Sequence, residues 1–175
     1  MSVKSKIKSK KLYDRGNEAL LYRIEIPQID GLEEINSFYG SISEECEKYC
    51  NGILLDFVCE DRREDRRARY SYGFTAVVTH YSDGLVSVLA FACLRRGNET
   101  LSRYACAHTW DTSDSCMLPP RCVYKRIGGD GDRKKLKRSE LEGVFLLNGE
   151  IRNIKNADVE GILSEYRVKY AIDLQ

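Results

Sequence analysis

The Asp83-Gly84 dipeptide, set between two β-rich runs, restricts this chain more than any other short stretch. Both residues accept positive φ angles at low cost, so they favour the two-residue type I′ turn that joins antiparallel strands with the correct twist. Counted outward, Ser82 faces Leu85 and His80 faces Ser87. If the ladder is unbroken, Val78 meets Leu89, Ala76 meets Phe91 and Phe74 meets Cys93. One face then carries Tyr72, Phe74, Ala76, Val78, Leu89, Phe91 and Cys93, an apolar surface that requires a cover. The reverse face, with Thr75, Val77, Thr79, Tyr81, Val86, Val88 and Ala90, is less bulky but not polar, so partial cover is expected there too.

The cover is written upstream. Leu32, Ile35, Tyr39, Ile42, Cys46, Tyr49, Ile53 and Phe57 recur at intervals of three or four, the stripe of an amphipathic helix. Asp30 suits the N-cap, and Glu33 and Glu34 suit the positive end of the helix dipole. Gly52 costs about 1 kcal/mol inside a helix, yet the stripe keeps phase through Phe57, so the spacing predicts one helix from Gly31 to about Arg66. Laid across the hairpin, it makes Leu89 and Phe91 core residues. The acids and arginines from Glu60 to Arg69 read as a solvated helix end with i to i+4 pairing.

Around this centre the chain predicts a first strand from Ala19 to Ile26, ended by Pro27, and a third hairpin strand from Thr100 to Asp111 after a Gly97-Asn98 turn. With no irregularity, His80, Ser87 and His108 share one row across the sheet. Asp114 to Arg121, with Pro119-Pro120, reads as a loop or edge strand, and the glycine-rich and basic stretch from Lys125 to Arg138 as the least ordered segment. A second hairpin spans Val144 to Ile154 around Asn148-Gly149, and Asn156 to Tyr166 reads as a closing helix with Val159, Ile162, Leu163 and Tyr166 on one side. Residues 1–17 read as a basic, flexible tail and 18–175 as a single domain. The fold class is α+β: a twisted antiparallel sheet, one long helix across one face, and a shorter C-terminal helix.

Composition narrows function by exclusion. The 175 residues are 42% hydrophobic and 31% charged, with a formal net charge of +1, so no global field draws the chain to nucleic acid or anionic lipid. Lys4, Lys6, Lys8, Lys10 and Lys11 precede no apolar h-region, and the apolar runs are too short to span a bilayer. The expectation is a cytoplasmic protein without membrane insertion, its seven cysteines reduced. Cys46-x3-Cys50 and Cys116-x5-Cys122 have no companion pair at a zinc-site interval, so no metal is expected, and buried cysteines serve as small hydrophobes. No nucleophile elbow accompanies Ser87 or Cys106, and the Gly128 to Asp132 loop lacks the lysine of a P-loop, so neither a catalytic residue nor a cofactor is assigned.

Four segments resemble a domain of unknown function from Firmicutes. They are Ile26-Pro27-Gln28-Ile29, Ile35-Asn36-Ser37-Phe38-Tyr39, Tyr81-Ser82-Asp83-Gly84-Leu85-Val86-Ser87 and Thr109-Trp110-Asp111. In that family the domain forms the ectodomain of a lysozyme-sensing anti-sigma factor and precedes the catalytic domain of some peptidoglycan deacetylases. The family's Gly-Gly-Ala-His-Gly turn is replaced by Arg95-Arg96-Gly97-Asn98, so no role of that histidine carries over. What the resemblance implies is a binding or sensing module without chemistry of its own, tied to the cell envelope or its stress response.

The sequence therefore points to a non-enzymatic module that contacts a protein or glycan through its hairpin tips and the 112–138 loop. Tyr81, His108, Trp110, Asp111, Arg95 and Arg96 are its candidate binding residues. Two alternatives stay open: an enzyme acting on wall polysaccharide through Asp111 with a histidine, and a weak nucleic-acid binder using Lys4 to Lys11 and Arg133 to Arg138. Oligomeric state is not legible from the sequence.

Overall fold

The computed structural model of the chain describes residues 2–127 and 143–171, with side chains through Tyr166. Six strands form one sheet in chain order: β1 (Val3–Asp14), β2 (Asn17–Ile29), β3 (Tyr70–Ser82), β4 (Leu85–Arg96), β5 (Glu99–Asp111) and β6 (Cys116–Leu118). All neighbours are antiparallel except β2 and β3, which pair in parallel from Leu20↔Tyr70 to Glu25↔Thr75. A parallel pair needs a long crossover. It is supplied by a helical rod: α1 (Glu33–Tyr49), a π turn (Cys50–Leu54) and α2 (Leu55–Asp61). The fold is thus α+β, as the pattern predicts.

The rod departs from the expected helix at both ends and in the middle. Asp30 does not cap it; its carboxylate accepts from the Ser2 hydroxyl at 2.5 Å. The approach to α1 is fixed instead by Asn36, whose amide exchanges two 2.8 Å hydrogen bonds with the backbone of Ile29. At the π turn, which contains Gly52, one extra residue rotates everything downstream by roughly 100°. The buried stripe continues through Cys50, Leu54 and Val58, while Tyr49, Ile53 and Phe57 turn to solvent, Ile53 being 74% exposed. The rod stops at Asp61 rather than Arg66, because Arg62 folds inward. Only 3% exposed, it donates to the carbonyls of Glu18, Ala68 and Arg66 at 2.7–2.8 Å, clamping the loop into β3 instead of lying in water.

The lysine-rich N-terminus is an edge strand, not a tail. Arg15 and Gly16 take φ values of 48° and 81°, so a tight turn folds β1 back on β2. Its alternating lysines have places to go: Lys8 Nζ lies 2.8 Å from Glu47 and Lys10 Nζ 3.1 Å from Asn51, both on the rod. Charge along an edge also discourages pairing with a further strand. Pro27 does not end β2; it sits past the last β2–β3 pair, where a proline removes no bond to β3.

Two bulges reset the expected register. Ser82↔Leu85, Tyr81↔Val86 and His80↔Ser87 form as predicted, but Thr79 is left without a partner and the ladder resumes at Val78↔Val88. Tyr72, Phe74, Ala76 and Val78 therefore share the rod-facing side with Val86, Val88 and Ala90. Leu89, Phe91 and Cys93 point the other way. A second bulge at Leu101 sets Val88, not Ser87, against His108, so His80 and His108 lie on opposite faces.

The reverse face is covered by a hairpin, β7 (Val144–Leu147) and β8 (Glu150–Asn153), and by the C-terminal helix α4 (Val159–Ala171). Phe145, Leu163 and Tyr166 pack there against Val77 and Leu89. Leu146 N–H donates to Ser87 Oγ at 3.0 Å, pinning the hairpin to the sheet. Between β6 and this layer lies a short helix, α3 (Pro120–Arg126). Under the rod, Phe38 meets the rings of His108 and Trp110 edge-on, at 5.3 and 5.0 Å, and the Tyr39 hydroxyl lies 3.0 Å from His108 Nδ1. Burial pushes the Tyr39 phenol up and the His108 imidazole down from its ordinary 6.5, so both are neutral at pH 7.

Two expectations follow from this packing. Leu89→Ala should cost about 2 to 5 kcal/mol, whereas Phe91→Ala, at a partly buried site, should cost less; urea unfolding giving the larger loss at Phe91 would contradict the bulged register. Both histidines have folded pKa values below 6.5, His80 also by burial, so the unfolded chain binds more protons in that window and stability falls as pH drops. Urea midpoints should decline between roughly pH 7 and pH 5.5, and a His80→Gln, His108→Gln double variant should flatten that slope.

Candidate functional site

A groove of about 350 Å³ opens on the reverse face, beside α4 and over the parallel junction. Its floor follows from register. Leu21, Ser71 and Arg95 make one row across β2, β3 and β4, and Arg23, Gly73 and Cys93 make the next. Thr75 and Phe91 continue it toward the core beneath α4. On this face the central strand presents the small side chains of Ser71, Gly73 and Thr75, a low channel between taller walls on β2 and β4. Leu163, Ser164 and Glu160 of α4 stand along the other side.

Gly73 holds the channel open. Its backbone is not in the left-handed region, and a Cβ built on it would meet nothing within 4 Å. Glycine in mid-strand costs stability, and no local geometry demands it here. Its effect is to leave space where a side chain would fill the floor.

Two guanidinium groups border that space. Arg23, 51% exposed, lies with one Nη2 at 3.3 Å from Oε2 of Glu25, which is nearly buried. The Cys93 thiol, two residues away on the same face of β4, and then Glu160 raise the Arg95 guanidinium pKa. Among the described residues, no carboxylate comes within ion-pair distance of Arg95. The groove therefore joins apolar walls to a few convergent donors, the usual composition of a small-ligand site.

The residues singled out from sequence do not converge. Only Arg95 lines the groove. Arg96 bonds Asp61 and Asp65 at 3.3 and 3.6 Å, tying the end of β4 to the end of the rod. Tyr81, Trp110 and His108 share the rod-facing side at the other end of the sheet, with Trp110 buried. Asp111 lies on the reverse face, where Ser113 donates through its hydroxyl at 2.6 Å and its backbone N–H at 3.0 Å, and Arg126 pairs with it at 2.7 Å. The Ser113 bonds, then Arg126, hold its carboxyl below the ordinary range. Asp111 and His108 thus point to opposite sides of β5.

Arg23, Gly73, Thr75 and Cys93 were not marked by sequence, although their signal is present. Ser71-x-Gly73-x-Thr75 is a run of small residues at strand spacing, legible as a channel only once both neighbouring strands are known. Among the described residues, no cluster of three His, Cys, Asp or Glu side chains is arranged to hold a metal ion, and no helix is long and apolar enough to cross a membrane. The Gly128 to Arg138 segment lies outside the described residues, along with the second basic run.

No family model and no curated protein matches the chain. Solved structures with a similar backbone course include a DUF3298 family protein from Pseudomonas aeruginosa PAO1, 15% identical with a TM-score of 0.46, the match covering 81% of this chain. A member of the same family from Bacteroides fragilis is 12% identical with a TM-score of 0.49, the match covering 78% of this chain and 72% of that one. The chain spans 65% of the length of the Pseudomonas protein.

Proposed function

We propose that the chain is a non-enzymatic binding module whose ligand occupies the groove between β2, β3, β4 and α4. The observation that carries this reading is the open floor at Gly73, flanked by Arg23 and Arg95. The sequence resemblance adds the cell envelope and its stress response as the setting. The polysaccharide-cleaving alternative loses its Asp111–His108 pairing, because the two side chains point to opposite faces of β5. Nucleic-acid binding is weakened as well: Lys8 and Lys11 are spent on Glu47 and Glu18.

Isotope-labelled protein titrated with a mixed panel of acidic, basic and neutral fragments tests the reading. Amide shifts should gather at Ser71, Gly73, Thr75 and Cys93, and Gly73→Leu should abolish them while leaving the rest of the spectrum unchanged. Shifts centred on Tyr81, His108 and Trp110, indifferent to Gly73→Leu, would overturn it.

A further inference from the structure

Resting on that reading, we infer that the groove selects a small organic carboxylate, its head between Arg95 and Arg23 and its apolar body along β3 toward Phe91 and Leu163. The charges set the polarity. Glu25 is buried and occupies one corner of Arg23, leaving the remaining N–H donors of an exposed guanidinium. Arg95 is exposed and has no ion-pair partner among the described residues. The one acid on the opposite wall, Glu160, lies on the exposed side of α4 and does not pair with it. Arg95 is therefore the groove cation still without an ion pair among the described residues.

Geometry fixes the size and orientation. Arg95 and Arg23 stand on strands two spacings apart, about 10 Å between backbones, with Ser71 and Gly73 between them. A carboxylate over Gly73 would present its oxygens to both forks and to the Ser71 hydroxyl. From that point the channel runs past Thr75 to Phe91 and Leu163, where polar partners give way to apolar contacts. A volume of about 350 Å³ is near the lower limit for ligand pockets. It suits a body the size of a short alkyl chain or a single ring, not a polymer.

Hexanoate, hexan-1-ol and hexylamine have the same apolar length and different heads, so together they separate the groove from its polarity. Hexanoate should shift the Ser71, Gly73 and Cys93 amides and hexylamine should not, and Arg95→Gln or Arg23→Gln should weaken hexanoate by about tenfold. Both arginines are exposed, so the variants should fold as wild type, which the remaining amides will report. Equal binding of all three heads, or hexanoate binding indifferent to both substitutions, would overturn the carboxylate assignment and leave the groove standing. No shift at the groove with any head would remove both.

Discussion

One unpaired residue, Thr79, governs the distribution of apolar mass in this protein. With β3 and β4 in unbroken register, the bulky residues of both strands would lie on one face, and a single helix could roof the sheet. The bulge moves Leu89, Phe91 and Cys93 to the reverse side, while Phe74, Ala76 and Val78 stay beneath the rod. Each face is then too apolar to meet water alone. Burying a side chain of leucine or phenylalanine size is worth about 1.5 to 3 kcal/mol, so a second cover is required. The β7–β8 hairpin and α4 provide it, with Phe145, Leu163 and Tyr166 on Val77 and Leu89. The three-layer arrangement follows from a one-residue irregularity.

Elements set by local chemistry were legible in the sequence. Asp83-Gly84, Gly97-Asn98 and Asn148-Gly149 each appear as a tight turn, with φ positive at Asp83, Gly84, Gly97, Asn148 and Gly149. The three strands around the first two turns, the second hairpin, the rod and the closing helix all lie close to where periodicity puts them. The misses share a cause. Thr79, Leu101 and the π turn each insert one residue, and one residue reverses a strand face or rotates a helix stripe by roughly 100°. Nothing in a hydrophobic pattern marks such a slip, because Val88 and Leu89, or Tyr49 and Cys50, are equally acceptable as the buried member. Only competition between the two covers decides.

Charged segments misled for a related reason. A run of alternating lysines reads as solvated until a partner strand and the acids of a rod stand beside it, as Glu47 does beside Lys8. Arg62 is the sharper example. Within Glu60 to Arg69 it cannot be told from Arg63 or Arg66, yet of these arginines it alone is buried, donating to two carbonyls of the loop into β3 and to that of Glu18 on β2. The candidate site suffered most. Tyr81, His108 and Trp110 read as candidate binding residues, and the second bulge turns His108 and Trp110 into the contacts that seat Phe38 and Tyr39.

The groove belongs to the same chain of cause. Because β2 and β3 are parallel, the rod must leave the sheet on one side and return on that side, so the opposite face of the junction stays clear of it. The hairpin covers the far end of that face, over Ser87 and Leu89, and Leu163 and Tyr166 of α4 pack beside it. What lies between is the stretch where β3 carries Ser71, Gly73 and Thr75 instead of the larger Val77 found farther along the same face. A valine at position 73 would suit a strand better and would take space from the channel floor. A glycine there makes the sheet less stable and the channel accessible, a combination found where a backbone is kept bare for something to approach it. The guanidinium groups on either side then bias what can approach, since a cation would be repelled by Arg95 and Arg23 and a neutral molecule would leave Arg95 without an ion pair.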